Sequence, residues 1–159
     1  MKFNSQIATS LVQSERLLAL GLKIETADCY HWQETDIYGD GNGKWHCEIL
    51  SEYNKDHNEY LYNVYGVDGS DEGFFIPAWS LHRLLSLIPK AIEFQVSPMY
   101  GRNYTLPIEL QITCELDICY IELNREEFKG FYGTDIYDSA IRCIEWLIKE
   151  GYFNKEYLV

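Results

Sequence analysis

Two prolines bracket an apolar period in the run Ile76-Pro-Ala-Trp-Ser-Leu-His-Arg-Leu-Leu-Ser-Leu-Ile-Pro89, and no other stretch limits the fold as strongly. A proline in the first turn of a helix lacks only an N–H that would have no intrahelical acceptor, and its φ is already set. Pro77 is therefore expected at the first helical position. Pro89 disfavours helical geometry at Ile88 and should end the helix there. Between them Leu81, Leu84, Leu85 and Ile88 repeat at the spacing of one buried face.

The flanking chain supplies further elements. Ser10 and Gln13 have capping-box spacing at the start of a helix running to Leu20, with Thr9 a rival cap. Gly21 stands where a C′ glycine belongs, and Leu22 could meet Leu17 as in a Schellman ending. If the helix began nearer Ser5, Ile7, Leu11, Ser14 and Leu18 would share a face. A short turn through residues 25–28 is expected to follow.

Residues 35–50 read as a hairpin, because Asn42-Gly43 tolerates the positive φ of a tight turn between Thr35–Tyr38 and Lys44–Leu50. The run Glu59–Tyr65 alternates enough for a strand, and Asp68–Gly73 is a turn cluster. Ala91–Val96 alternates as a strand. From Leu106 onward, Ile108, Leu110, Ile112, Cys114 and Leu116 oppose Glu109, Gln111, Thr113 and Glu115, the pattern of a strand with one wet face. Cys119, Ile121 and Leu123 then switch parity, which requires a turn or bulge near residues 115–117 and hence two strands. A last helix is expected from about Asp138 to Glu150, capped by Asp135 or Asp138 and closed by Gly151, with Ala140, Ile144, Leu147 and Ile148 as its stripe.

At 159 residues the chain fits one domain, 1–159, with an ordinary core. The expected fold class is α+β: an antiparallel sheet of about five strands with three helices packed mainly on one face.

Charge narrows the function. Residues 24–80 carry twelve acidic side chains against Lys44 and Lys55, which is −10 of the chain's −12. That balance excludes direct binding to a phosphate backbone, which needs a basic stripe to displace counterions. Cys29, Cys47, Cys114, Cys119 and Cys143 form no CxxC pair and no zinc spacing. No apolar leader or membrane-length window is present, so reduced thiols in the cytoplasm are expected.

The tempting chemical motifs fail on inspection. Asp68-Gly-Ser-Asp-Glu-Gly73 opens like a calcium loop, but its twelfth position is Trp79 where a bidentate glutamate is required. Gly39-Asp-Gly-Asn-Gly43 lacks the Lys-Ser/Thr of a phosphate loop. His31, His46, His57 and His82 share no ligand spacing. Vicinal His46 and Cys47 point to opposite faces of a strand, so they cannot serve each other as base and nucleophile. No cofactor, metal or catalytic residue is assigned.

The tryptophans are more informative. On the Ile76–Pro89 helix Trp79 falls opposite the leucine face, beside Arg83. On the last helix Trp146 falls opposite Ala140, Ile141, Ile144, Leu147 and Ile148, beside Arg142. Either another segment folds over these indoles, or Trp79, Arg83, Arg142 and Trp146 form aromatic–cationic patches suited to a protein partner.

Ile76-Pro-Ala-Trp-Ser-Leu81 with Leu84-Leu85 and Pro89 resembles a signature in a group of prophage and mobile-element proteins from anaerobic gut bacteria. Gln13–Leu22 with Thr26-Ala-Asp28, and Ala140–Tyr152, are similar to that group as well. Residues 35–75 and 92–130 are individual. The resemblance implies a genomic context, an accessory protein of a mobile element, and carries no activity or site residue with it.

The leading expectation is a non-enzymatic module that binds an unknown protein partner, without membrane or direct nucleic-acid binding. Its rivals are an acidic DNA mimic using the carboxylates of residues 24–80, and a hydrolase with an unrecognised site. The oligomeric state is not encoded in any of these features.

Overall fold

The computed structural model describes residues 6–33, 45–49, 75–96, 104–113, 115, 117–122 and 126–159. The expected strand at 35–38, the Asn42-Gly43 turn, the strand at 59–65 and the turn at 68–73 lie outside the described residues. The architecture is α+β, with three α-helices among the described residues and two antiparallel sheets, of three and four strands. One sheet of about five strands is thereby corrected. Alternation shows which residues can be strands, but strand partners are set by pairing across distance, and here they divide between two ladders.

The chain divides into two compact units, Met1–Arg83 with Tyr157–Val159, and Leu84–Glu156. In the first unit, α1 (Leu11–Ala19) opens on the predicted capping box: Ser10 Oγ accepts the Gln13 N–H at 3.3 Å and Gln13 Oε1 accepts the Ser10 N–H at 2.9 Å. It closes in a Schellman motif, with Gly21 at φ 87° and the Leu22 N–H donating to Leu17 O. The inward residues are Ser14 and Leu17, so the helix starts at Leu11 and its buried face is rotated from the Ile7–Leu11–Ser14–Leu18 alternative. A 3₁₀ turn (Ile24–Thr26) occupies the expected turn.

Strands β1 (Cys29–Gln33), β2 (Trp45–Ile49) and β3 (Phe75–Ala78) form the first sheet in the order β2-β1-β3. The β1–β2 ladder pairs Tyr30 with Glu48, His31 with Cys47 and Trp32 with His46. Pro77 lies in β3 opposite Tyr30, not in a helix. Among the described strands β3 is an outer one, where proline's missing N–H breaks no second ladder.

Helix α2 (Leu81–Leu87) starts after Ser80, whose hydroxyl accepts the Arg83 N–H at 3.1 Å. A serine cap three residues beyond the proline displaces the expected start. The stripe rotates with it: Leu84, Leu87 and Ile88 are buried, while Leu81 and Leu85 are half-covered. The boundary between the units falls inside this helix.

The second unit holds the meander β4 (Ala91–Val96), β5 (Tyr104–Ile112), β6 (Ile118–Ile121) and β7 (Glu127–Phe131). The predicted turn between two strands is present, with the Thr113 N–H donating to Asp117 O and the Asp117 N–H to Thr113 Oγ1. Among the described residues β5 pairs with β6 from Glu109 to Ile112, and Pro107 pairs with Glu93 of β4. A register shift beyond Tyr120 bends β7.

Helix α3 (Ile136–Glu150) is capped by Asp135 and ends at Gly151, φ 80°, where the Tyr152 N–H donates to Leu147 O. That repeats the ending of α1. The core of this unit is built on Ile108, Ile118, Tyr120, Ile141, Ile144 and Leu147, all fully buried.

Candidate functional site

Trp79 is fully buried and so leaves the set of partner-facing residues. It follows β3 rather than riding on a helix, which is why a helical projection put it on a wet face. Its indole N–H donates to Thr26 Oγ1 at 3.0 Å, its backbone N–H to Thr9 Oγ1 at 3.0 Å, and its carbonyl accepts the Thr9 N–H at 2.9 Å. Thr9 Oγ1 also meets Ser14 Oγ at 2.7 Å, and Thr9 O lies 2.6 Å from His31 Nε2, which must be the donor because a carbonyl only accepts. Buried hydroxyls, an indole and an imidazole thus satisfy one another.

Arg83 adds to the same fabric, its Nε donating to Thr26 O at 2.6 Å. The Asp28 carboxylate accepts the Ser80 N–H at 2.7 Å and the Ser80 hydroxyl at 2.5 Å. Asp28 therefore orients the cap of α2.

In the second unit Trp146 is half-buried. Its ring centroid lies 6.0 Å from Tyr120, 5.5 Å from Phe131 and 5.6 Å from Tyr152. Ser139 and Cys143 are buried too, which widens the inward arc of α3 to the shoulder where Trp146 stands. Arg142 is half-exposed and pairs with Asp138 at 3.6 Å, one turn earlier. Of the four candidates, Trp79 and Arg83 belong to the fabric around Thr26, while Arg142 and Trp146 stand one turn apart on α3, the arginine exposed and the indole half-buried.

The described arrangement with the most pronounced recognition geometry lies elsewhere. Register puts Tyr30, Trp32, His46 and Glu48 on one face of the first sheet. Glu48 is exposed, and its carboxylate is held by two neighbours: the Tyr30 hydroxyl donates to Oε2 at 2.9 Å and the Trp32 indole N–H to Oε1 at 3.0 Å. The Trp32 and His46 rings stack, centroids 4.5 Å apart and planes 17° from parallel. A carboxylate has about four lone-pair positions, so each oxygen can still accept from outside. The site is an oriented anion beside a fixed aromatic plate. Sequence reading missed it because residues 29–33 were not assigned as a strand. The signal was there in the alternation of Tyr30 and Trp32 with Cys29 and His31.

Cys47 faces away from His46, toward a small core of Ala8, Cys29 and Ala78, as strand geometry requires. Burial, reinforced by neighbouring Asp28, pushes the Cys29 thiol up to about 12; burial followed by Glu48 raises Cys47. Burial likewise raises Cys119 and Cys143. Thiols held protonated are poor nucleophiles. All four are unbridged; Cys114 lies outside the described residues. Among the described residues no group of three or more His, Cys, Asp or Glu could hold a metal ion, and no helix is long and apolar enough to cross a membrane.

Compared with models of protein families, with characterised proteins and with solved structures, the chain matches none.

Proposed function

We propose that the chain is a non-enzymatic protein-binding module, cytoplasmic and of mobile-element context, which engages its partner through Glu48, Trp32 and His46. The observation that carries this reading is the double clamp on an exposed carboxylate beside a stacked Trp–His pair. Holding an acid and an aromatic plate in one orientation reduces the entropy lost when a partner docks. An indole and its carboxylate also make a natural binding centre, since interface energy concentrates in aromatic anchors. The DNA-mimic reading draws less support: Asp28, one of the acids it would use, is occupied by Ser80.

The test is affinity capture from the native host with the wild-type chain and Glu48→Gln in parallel, after circular dichroism shows the same fold for both. A protein retained by the wild type and lost by the variant supports the reading. Identical capture by both chains rejects this face as the interface.

A further inference from the structure

We infer that the Glu48 site selects an arginine side chain of a basic peptide segment, an assignment that rests on the protein-binding reading above. The charge of the chain first favours a sign for the ligand. The chain carries −12, and −10 of it falls in the sequence segment 24–80 that contains Glu48, so the protein attracts a cation and repels an anion. The second feature is shape. Glu48 Oε1 and Oε2 are each fixed by one donor, from Trp32 and Tyr30. One further acceptor position on each oxygen leaves capacity for the two bonds of a guanidinium fork.

The third feature is the stacked Trp32–His46 pair next to that carboxylate. Indole is the best of the aromatic faces for a cation, and a planar guanidinium can stack on a ring while its edge bonds a carboxylate. A lysine ammonium is a compact, strongly hydrated point charge. It could satisfy one oxygen but would gain less from the plate and nothing from the fork.

Asp28 illustrates the contrast within the same unit, because both its oxygens are taken up by the backbone and hydroxyl of Ser80. Its role is to hold α2. Glu48 is exposed, and among the described residues the side chains that hold it, Tyr30 and Trp32, belong to its own sheet and orient it without closing it.

The experiment titrates the wild-type chain with short, end-blocked peptides carrying arginine, lysine or citrulline in the same glycine-serine background. Binding is followed by NMR at the Trp32 indole N–H and the His46 ring. The expected result is saturable shifts with the arginine peptide, about tenfold weaker binding for lysine and loss of binding with citrulline, which keeps the shape without the charge. Glu48→Gln should weaken the arginine peptide by at least about tenfold, and raising salt should weaken it further. Equal affinity for lysine and arginine, persistence with citrulline, or no movement at Trp32 would overturn the assignment. The citrulline arm needs no variant, so misfolding of a mutant cannot blur the outcome. If the peptides fail while Glu48→Gln still abolishes capture of a host protein, the binding module stands and its arginine selectivity falls.

Discussion

The indole N–H of Trp79 ends on the hydroxyl of Thr26, 3.0 Å away and separated by fifty-three residues of chain. Thr26 Oγ1 in turn donates to Lys23 O at 2.6 Å, so its proton is committed and its lone pair is what receives the indole. Through this relay the end of β3 is tied to the 3₁₀ turn. The feature that suggested a recognition residue is a buried cross-link of the fold.

Replacing that indole tests the relay. Trp79→Phe removes the donor and part of the ring, leaving the Thr26 acceptor dry, and should cost about 2 kcal/mol in urea unfolding. Trp79→Ala should cost about 3–5 kcal/mol by opening a cavity. A wild-type midpoint for either variant would show that the site tolerates water or collapses around the gap.

The two helix endings make a matched test of conformational strain. Gly21 and Gly151 have φ of 87° and 80°, and a Cβ on either would meet nothing within 4 Å. Alanine there is penalised only by the left-handed backbone, so each Gly→Ala should lose about 1 kcal/mol, and Gly→Asn less. A loss of several kcal/mol would mean that the glycines do more than turn the chain.

Local signals were the legible ones. Ser10 with Gln13, Gly21 and Gly151 act through bonds within a few residues, and each ending formed as its spacing implied. Ala91–Val96 was readable by alternation alone. What failed was non-local. Pro77 fits a helix start as well as it fits an outer strand, and the choice is made by pairing with Tyr30, forty-seven positions away by sequence number. Trp79 read as wet only through the helix wrongly assigned to it, and Glu48 became noteworthy only when β1 placed Tyr30 and Trp32 beside it.

The buried thiols predict a falling alkaline limb of stability. Below about pH 9, the ordinary thiol value, folded and unfolded chains both keep the Cys29 proton. Between that value and about 12 the unfolded chain releases it while the folded chain retains it. The unfolded state then binds fewer protons, so stability declines as pH rises through this window. The urea midpoint should drop as pH rises from about 9 toward about 12, with a shallower slope in Cys29→Ala than in the wild type. Parallel slopes would remove Cys29 as a cause. Site-resolved alkylation at pH 8 should also find Cys29 and Cys143 slow in the native chain and fast in urea.

Trp146 and Arg142 are neighbours on α3 that should behave oppositely. The indole sits among Tyr120, Phe131 and Tyr152, so Trp146→Ala removes three ring contacts and should destabilise the protein by about 3 kcal/mol. Arg142 is half-exposed and pairs with Asp138 across one helical turn at 3.6 Å, an arrangement worth about 0.5 kcal/mol or less. Arg142→Ala should therefore leave the unfolding midpoint within about 0.5 kcal/mol of wild type. If both substitutions weakened partner capture while barely moving the midpoint, α3 would present a second contact surface and Trp146 would be more than a shoulder of the core. A large stability loss for the tryptophan alone would instead fix it as packing, and the proposed interface would rest on Glu48 without help from α3.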